Sequence, residues 1–369
     1  MEIKLKDIPE FLKKSELYRN SLENSEDIII NPKHNLKTIQ ILSFDDLCIY
    51  LDIYRYWMLD ESIKDLFYDY VKNNEINIDY LKDNFHELEL IEELEHIKNF
   101  NEKSTYFAAE KGNINLLKYL HKNGCLITKY ISRYAAGNGH LECFIYLHEN
   151  GYNSDESICN YAVMNGNLYC LKYAYENGYN LDEDTYRYAV QNGNLNCLIY
   201  LHKNKCPSTY SKIFLCDYAA EKGHLDCLKY LHENEFPWNS NTCSLAALNG
   251  HLNCLKYAHE NGCPWNNFTS EHATRSGNLE CLKYAHENGC YCDTWTCAEA
   301  AKYGNLNCLI YLHENGCLWD KLTCNNAASS GNLECLKYAH ENGCQSDKST
   351  IHCAKLFNHL DCLNYLIKK

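Results

Sequence analysis

From about residue 105 onward, apolar positions recur at helical spacing, in a pattern that repeats along the chain. In Thr242–Trp265, TCSLAALNGHLNCLKYAHENGCPW, the residues Leu252, Leu255, Ala258 and His259 fall three and four apart or adjacent. That spacing lines one face of a helix, whereas a strand would alternate every second residue. Thr242 is placed to cap a first helix running through Asn249. Gly250 supplies a turn, a second helix covers Leu252–Asn261, and Gly262 ends it as the residue after the cap. The pattern therefore predicts a unit of helix, turn, helix and loop.

The unit, AA-x-x-G-H/N-L-x-C-L-K-Y, recurs ten times. Its glycine stands at Gly112, Gly139, Gly166, Gly193, Gly223, Gly250, Gly277, Gly304 and Gly331, and Asn358 takes the tenth place. The spacing is 27 residues, except for 30 between Gly193 and Gly223, where three extra residues fall in the Cys206–Lys212 loop. Such a period argues for one long array of stacked units.

The segment TCSLAALNGHLNCLKYAHENGC resembles the ankyrin repeat, whose pattern is T-P-L-H-x-A-A-x-x-G-H followed by an apolar helix and x-x-G-A. The resemblance covers about 265 residues. It implies an all-α solenoid of about ten 27-residue helix-turn-helix repeats over 101–369, acting as a non-enzymatic protein–protein interaction scaffold. Two departures stand out. The period falls short of the common 33, which predicts that the β-hairpin finger is absent or very short. Cys or another residue also replaces the Pro of T-P-L-H. The Cys- and Tyr-rich form with K-Y-L/A-H-E-N-G-C is similar to ankyrin proteins of amoeba-infecting giant DNA viruses, which implies a viral protein acting in host cytoplasm. Leucine-rich repeats can share the period but need an alternating L-x-L strand, which Leu252–Ala258 lacks; tetratricopeptide repeats have 34 residues and no G-H/N turn here.

The chain's 23 Cys invite a disulfide or zinc reading, but 20 of them sort onto three repeat positions. Nine, such as Cys254, lie in the second helix; six, such as Cys263, follow the terminal glycine or its substitute; five, such as Cys243, open the first helix. Equivalent positions in stacked helices lie about 8–10 Å apart, too far for a disulfide or a shared metal ion. These cysteines are expected to be small core residues, with no metal and no cofactor. Cys290-Tyr291-Cys292 with Cys297 lacks a paired second knuckle, and only Cys48, Cys292 and Cys353 lie off the lattice. An enzyme using Cys and His would need such residues to meet. Eight His, including His259, recur late in the second helix; four, including His251, occupy the turn. Tyr stands at the K-Y position in all ten units, from Tyr119 to Tyr365, and is expected to pack between repeats with its hydroxyl near water. Trp238, Trp265 and Trp319 are expected to cover loops between repeats. No phosphate-binding, hydrolase or zinc-protease motif is present.

The start, MEIKLKDIPEFLKK, has no apolar core of a secretory signal, and no stretch approaches the roughly 18 apolar residues of a membrane span. These features predict an intracellular chain without membrane association, its thiols reduced. The net charge is −14, of which −10 falls in residues 1–100 (12 Lys+Arg against 22 Asp+Glu). This balance argues against nucleic-acid binding, which needs a basic surface.

Function in a repeat array should lie where the copies differ. Two residues before the Ala pair the chain reads Tyr106, Arg133, Asn160, Arg187, Asp217, Ser244, Glu271, Ala298, Asn325 and His352. Four residues later it reads Glu110, Gly137, Met164, Gln191, Glu221, Leu248, Arg275, Lys302, Ser329 and Leu356. The two positions share a helix face and are expected to be exposed. Tyr106, Glu110, Arg133, Asn160, Arg187, Gln191, Asp217, Glu221, Glu271, Arg275, Lys302 and Asn325 form the candidate surface for partner proteins. Lys355 and Asn358, replacing an Ala and the Gly, fit a polar end cap.

Residues 1–100 form an acidic, mostly helical region with helices expected over Ser15–Asn24 and Asp45–Asn73, a short strand at Ile28–Asn31, and a sealing helix at His86–Phe100. Asp45–Leu59 with Ile63–Phe67 resembles the C-terminal helices of BTB/POZ or Skp1-like domains. That resemblance implies a cullin-type partner, with the repeats choosing the substrate of a ubiquitin ligase.

Overall fold

A computed structural model describes residues 101–152, 157–206 and 211–368. The helices and strand expected within residues 1–100, and Cys48, lie outside the described residues. The chain divides into two compact units. The first, comprising 101–135 and 140–152 among the described residues, contains α1 (Glu102–Glu110), α2 (Ile114–Lys122), most of α3 (Ile131–Gly137) and α4 (Leu141–Glu149). The second contains α5 (Ile158–Met164), α6 (Leu168–Glu176), α7 (Glu183–Gln191), α8 (Leu195–Lys203), α9 (Leu215–Lys222), α10 (Leu225–Glu233), α11 (Ser240–Leu248) and α12 (Leu252–Glu260). It continues through α13 (Asn267–Ser276), α14 (Leu279–Glu287), α15 (Thr294–Lys302), α16 (Leu306–Glu314), α17 (Lys321–Ser330), α18 (Leu333–Glu341), α19 (Lys348–Leu356) and α20 (Leu360–Lys368). A 3₁₀ turn, Ser211–Phe214, leads into α9 after the longer loop. Among the described residues there is no strand, as the short period predicts.

Most of these helices have nine residues, a length that is marginal in isolation. Packing of one apolar face must hold them. The Ala pair Ala246–Ala247 is fully buried, as are Leu255 and Ala258, and Cys254 is 1% exposed. In the second compact unit, small residues on the first helix let successive first helices lie side by side; each also rests on its own second helix, and second helices touch one another more sparsely. Most second-helix and helix-opening cysteines join this core as free thiols. Burial pushes Cys159, Cys216 and Cys227 up to about 12, which keeps them neutral and unreactive.

The starts of the first helices differ from expectation. Thr242 is not the cap: Asn239 is, its side chain accepting from the Asn241 amide, while Thr242 stands three residues inside as the reciprocal half of a capping box. Asp182, Asp293 and Asp347 cap in the same box arrangement with Thr185, Thr296 and Thr350. The threonine is buried in each case, so it serves both the cap and the packing. The helix-to-helix turn needs a left-handed residue; Gly166 sits at φ 75° with the Asn194 side chain against it. Asn358, in the glycine's place, adopts φ 58°, a conformation asparagine tolerates better than most residues.

Candidate interaction surface

Three repeated contacts engage the recurring histidine, the K-Y tyrosine and the loop tryptophan. First, the late second-helix histidine meets the tyrosine hydroxyl of the following unit: His232 Nδ1 with Tyr257 at 2.9 Å, His259 with Tyr284 at 3.0 Å, His313 with Tyr338 at 2.9 Å. The tyrosine hydroxyls expected near water are thus partnered by protein. Second, the turn residue reaches back to the preceding first helix. Asn194 Nδ2 donates to the Val163 and Met164 carbonyls at 2.7 and 3.1 Å, and His224 Nε2 meets the Gln191 carbonyl at 3.0 Å. These contacts satisfy carbonyls that a helix end leaves without intrahelical partners. Third, Trp238, Trp265 and Trp319 stack on His232, His259 and His313, with ring centroids 3.9, 3.7 and 4.0 Å apart.

The candidate surface residues separate into two groups, and the expected exposure is corrected for one of them. Asn160 and Asp217 are 8% and 4% exposed. Asn160 Oδ1 accepts from the Thr185 hydroxyl at 2.6 Å, Asp217 Oδ1 from Thr242 at 2.5 Å, and half-buried Asn325 from Thr350 at 2.6 Å. In each pair the acceptor belongs to one unit and the threonine to the next. These three residues tie units together. Burial pushes the Asp217 carboxyl up, and the Thr242 hydrogen bond partly counters it. Glu271 is half-buried, accepts from Asn267 at 2.7 Å, and is raised by burial and by nearby Asp293.

In the second group Glu110, Arg275 and Lys302 are exposed and the others half-buried. In the first compact unit Tyr106 bonds Thr128 at 2.8 Å and meets Tyr134 edge-on, Arg133 lies 4.5 Å over the Tyr130 ring, and Glu110 is exposed. In the second unit Arg187 pairs with Asp184 at 2.8 Å and lies 4.9 Å over Tyr188. Arg275 and Lys302 both reach the Tyr303 ring, at 4.9 and 5.3 Å. Gln191 is half-buried, and Glu221 is half-buried and paired with Lys222 at 3.0 Å. Tyr130, Tyr188 and Tyr303 escaped the sequence reading, which compared only two columns of the repeat. Arginine on an aromatic ring is a rigid, amphipathic contact of the kind that carries interface energy.

The residue opposite explains the division. The position that holds Thr185, Thr242 and Thr350 holds Ile131 in the unit after Tyr106 and Leu215 in the unit after Arg187. An apolar partner offers no hydrogen bond to draw the side chain inward. Where the threonine follows Ser244 or Ala298, its hydroxyl is unsatisfied: Thr269 and Thr323 are buried with no hydrogen-bond partner for Oγ1.

Cysteines meet in ways that comparing equivalent positions missed. Cys324 lies beside Cys344 of its own unit, which raises the Cys324 thiol. His286, off-lattice Cys292 and Cys317 converge, with one ligand atom of each within 4.8 Å of the others.

Residues 216–259 match the family model for ankyrin repeats in many copies. The crystal structure of human ASB11 ankyrin repeat domain is similar at 19% identity and a TM-score of 0.42, over 50% of this chain and 97% of that chain. No curated protein matches. Among the described residues the fold is an all-helical repeat solenoid of ankyrin type, and ankyrin repeats are a general protein–protein interaction module.

Proposed function

We propose that the repeats bind partner proteins through the outward polar face of their first helices, without catalysis. The supporting observation is the array of Arg and Lys side chains laid over tyrosines, Arg187 on Tyr188 and Arg275 with Lys302 on Tyr303. The frame beneath is constant while this face changes from unit to unit, as selection for one partner surface requires. In this reading the partner is a host protein met in the host cytoplasm. A patterned basic and aromatic face suits a partner with acidic and apolar side chains.

The test compares two variant sets against the partners captured by the full chain. Charge reversal at Arg187, Arg275 and Lys302 should abolish capture with helicity and thermal stability retained. Alanine at Asn160 or Asp217 should lower stability instead. Undiminished capture by the reversed chain would refute the proposal. The Asp45–Phe67 resemblance favours a second reading, a substrate adaptor of a cullin-type ubiquitin ligase. Loss of a co-captured cullin on removing residues 1–100 supports it, and no cullin on the full chain rejects it.

A further inference from the structure

Between the two units that carry Trp265 and Trp319, the Trp–His stack is interrupted. Trp265 and Trp319 stand three residues after Gly262 and Gly316, and the same place after Gly289 is Cys292. Where the units on either side lay an indole on the histidine, this unit brings a thiol to His286. The neighbouring lattice cysteine has changed its contact too. Cys263, Cys290 and Cys344 donate their thiols to the Asn239, Asn266 and Asp320 carbonyls at 3.1–3.2 Å. Cys317, at the same repeat position, has its sulfur 4.0 Å from His286 Nε2.

We propose that His286, Cys292 and Cys317 form a binding site for one soft metal ion of the zinc class, its fourth position open to solvent. Zinc takes thiolate sulfur at about 2.3 Å and imidazole nitrogen at about 2.0–2.1 Å in a tetrahedron, which sets ligand atoms roughly 3.5–3.8 Å apart. The three atoms lie within 4.8 Å of one another, and sulfur and nitrogen at 4.0 Å, so rotation of side chains closes the set without moving helices. The histidine is already oriented. Its Nδ1 lies 3.1 Å from the Tyr311 hydroxyl; with Nδ1–H donating to that oxygen, Nε2 presents its lone pair to the two sulfurs. Such an outer hydrogen bond fixes the tautomer of a metal-bound histidine. All three residues are half-buried, which shields the ion yet leaves it a path in. Two sulfurs and a nitrogen select zinc-like ions over the oxygen-seeking Ca²⁺ and Mg²⁺. Binding displaces the thiol protons of Cys292 and Cys317 to solvent. Because Cys317 lies in the loop of the following unit, the ion clamps two adjacent repeats.

The experiment titrates the full chain, stripped of metal and held under a phosphine reductant, with Co²⁺ and then Zn²⁺. The expected result is one tightly held Co²⁺ per chain, with tetrahedral ligand-field and thiolate charge-transfer absorption that Zn²⁺ displaces. Cys292→Trp installs the residue that the two flanking units use and should fold unchanged, yet bind at least about a hundredfold more weakly. Tyr311→Phe should cost roughly 10–100-fold by freeing the histidine ring. Zn²⁺ should raise the melting temperature of the natural chain and not of C292W. Co²⁺ binding of equal strength and spectrum in C292W would overturn the proposal, as would no thiolate–cobalt absorption in the natural chain.

Discussion

Replacing threonine by valine at two equivalent positions should move stability in opposite directions. Thr242 and Thr323 are both fully buried at the third position of a first helix. Valine keeps the shape and removes the hydroxyl. Thr242 donates to Asp217 Oδ1 at 2.5 Å, so Thr242→Val leaves a buried carboxylate short of its donor. Hydrogen bonds to charged groups contribute about 1.5–3 kcal/mol, and the loss should fall in that range. Thr323 faces Ala298 in the preceding unit and its hydroxyl has no partner. An unsatisfied buried hydroxyl costs about 1–3 kcal/mol, so Thr323→Val should stabilise by roughly 1 kcal/mol after repacking. The two variants should therefore differ by about 3 kcal/mol. Repeat arrays need not unfold in one step, so the assay is urea unfolding of each variant fitted to nearest-neighbour coupling, with amide exchange locating the change. In an Asp217→Ala background, Thr242→Val should cost much less, since the partner is already gone. Equal shifts for the two valines, or full additivity with Asp217→Ala, would refute the account of the threonine as an inter-unit tie.

Two further outcomes follow from the same geometry. Alanine at Gly178, where a Cβ meets nothing within 4 Å, should cost only the left-handed strain, about 1–2 kcal/mol, at φ 86°. At Gly166 the new Cβ would lie 2.6 Å from Asn194 Oδ1, displacing a side chain that donates to two carbonyls, so thermal melts should show Gly166→Ala the more damaging by roughly 1 kcal/mol or more. Asp217→Asn keeps the acceptor for Thr242 and removes the buried charge. Because burial raises the folded carboxyl above its ordinary 3.8, the folded state holds its proton longer than the unfolded state. Stability from this group is then present at low pH and is lost as pH rises through the folded value. The asparagine variant should lack that decline and match or exceed the natural chain at pH 7, measured by unfolding between pH 4 and 7.

The frame was legible because it repeats. A 27-residue period with glycine, Leu-x-Cys-Leu and tyrosine in fixed places specifies helix, turn and helix ten times over, and the helices fall where the spacing puts them. The caps were misread by three residues. Thr242 has the chemistry of a cap, but Asn239 has it too, and only packing decides which of them enters the helix. The site was legible only in outline. Changing chemistry between copies suggests exposure, yet Asn160 and Asp217 are buried, each held by a threonine one unit later. That signal was in the sequence, 25 residues downstream. It becomes visible only when the stacking register is known, since residues 160 and 185 are strangers until one helix lies on the next.

The same register explains why a single substitution can create chemistry in an otherwise inert lattice. Periodicity argues against metal binding when each cysteine is compared with its own copies, because equivalent atoms in stacked helices stay a helix spacing apart. Different positions of adjacent units have no such limit. The tryptophan and histidine positions of one unit already meet, as the stacked rings of His259 and Trp265 show at 3.7 Å, and at His286 the cysteine after the terminal glycine of the next unit joins them. With Cys292 in the tryptophan position and Cys317 turned to His286, a packing contact becomes two sulfurs and a nitrogen. The core thiols of the second helices remain buried and neutral beside it, at about 11 for Cys281 and Cys308. Reactivity in this chain therefore follows departures from the repeat, which is also where Arg187, opposite Leu215 in place of a threonine, escapes the inward hydrogen bond and becomes available to a partner.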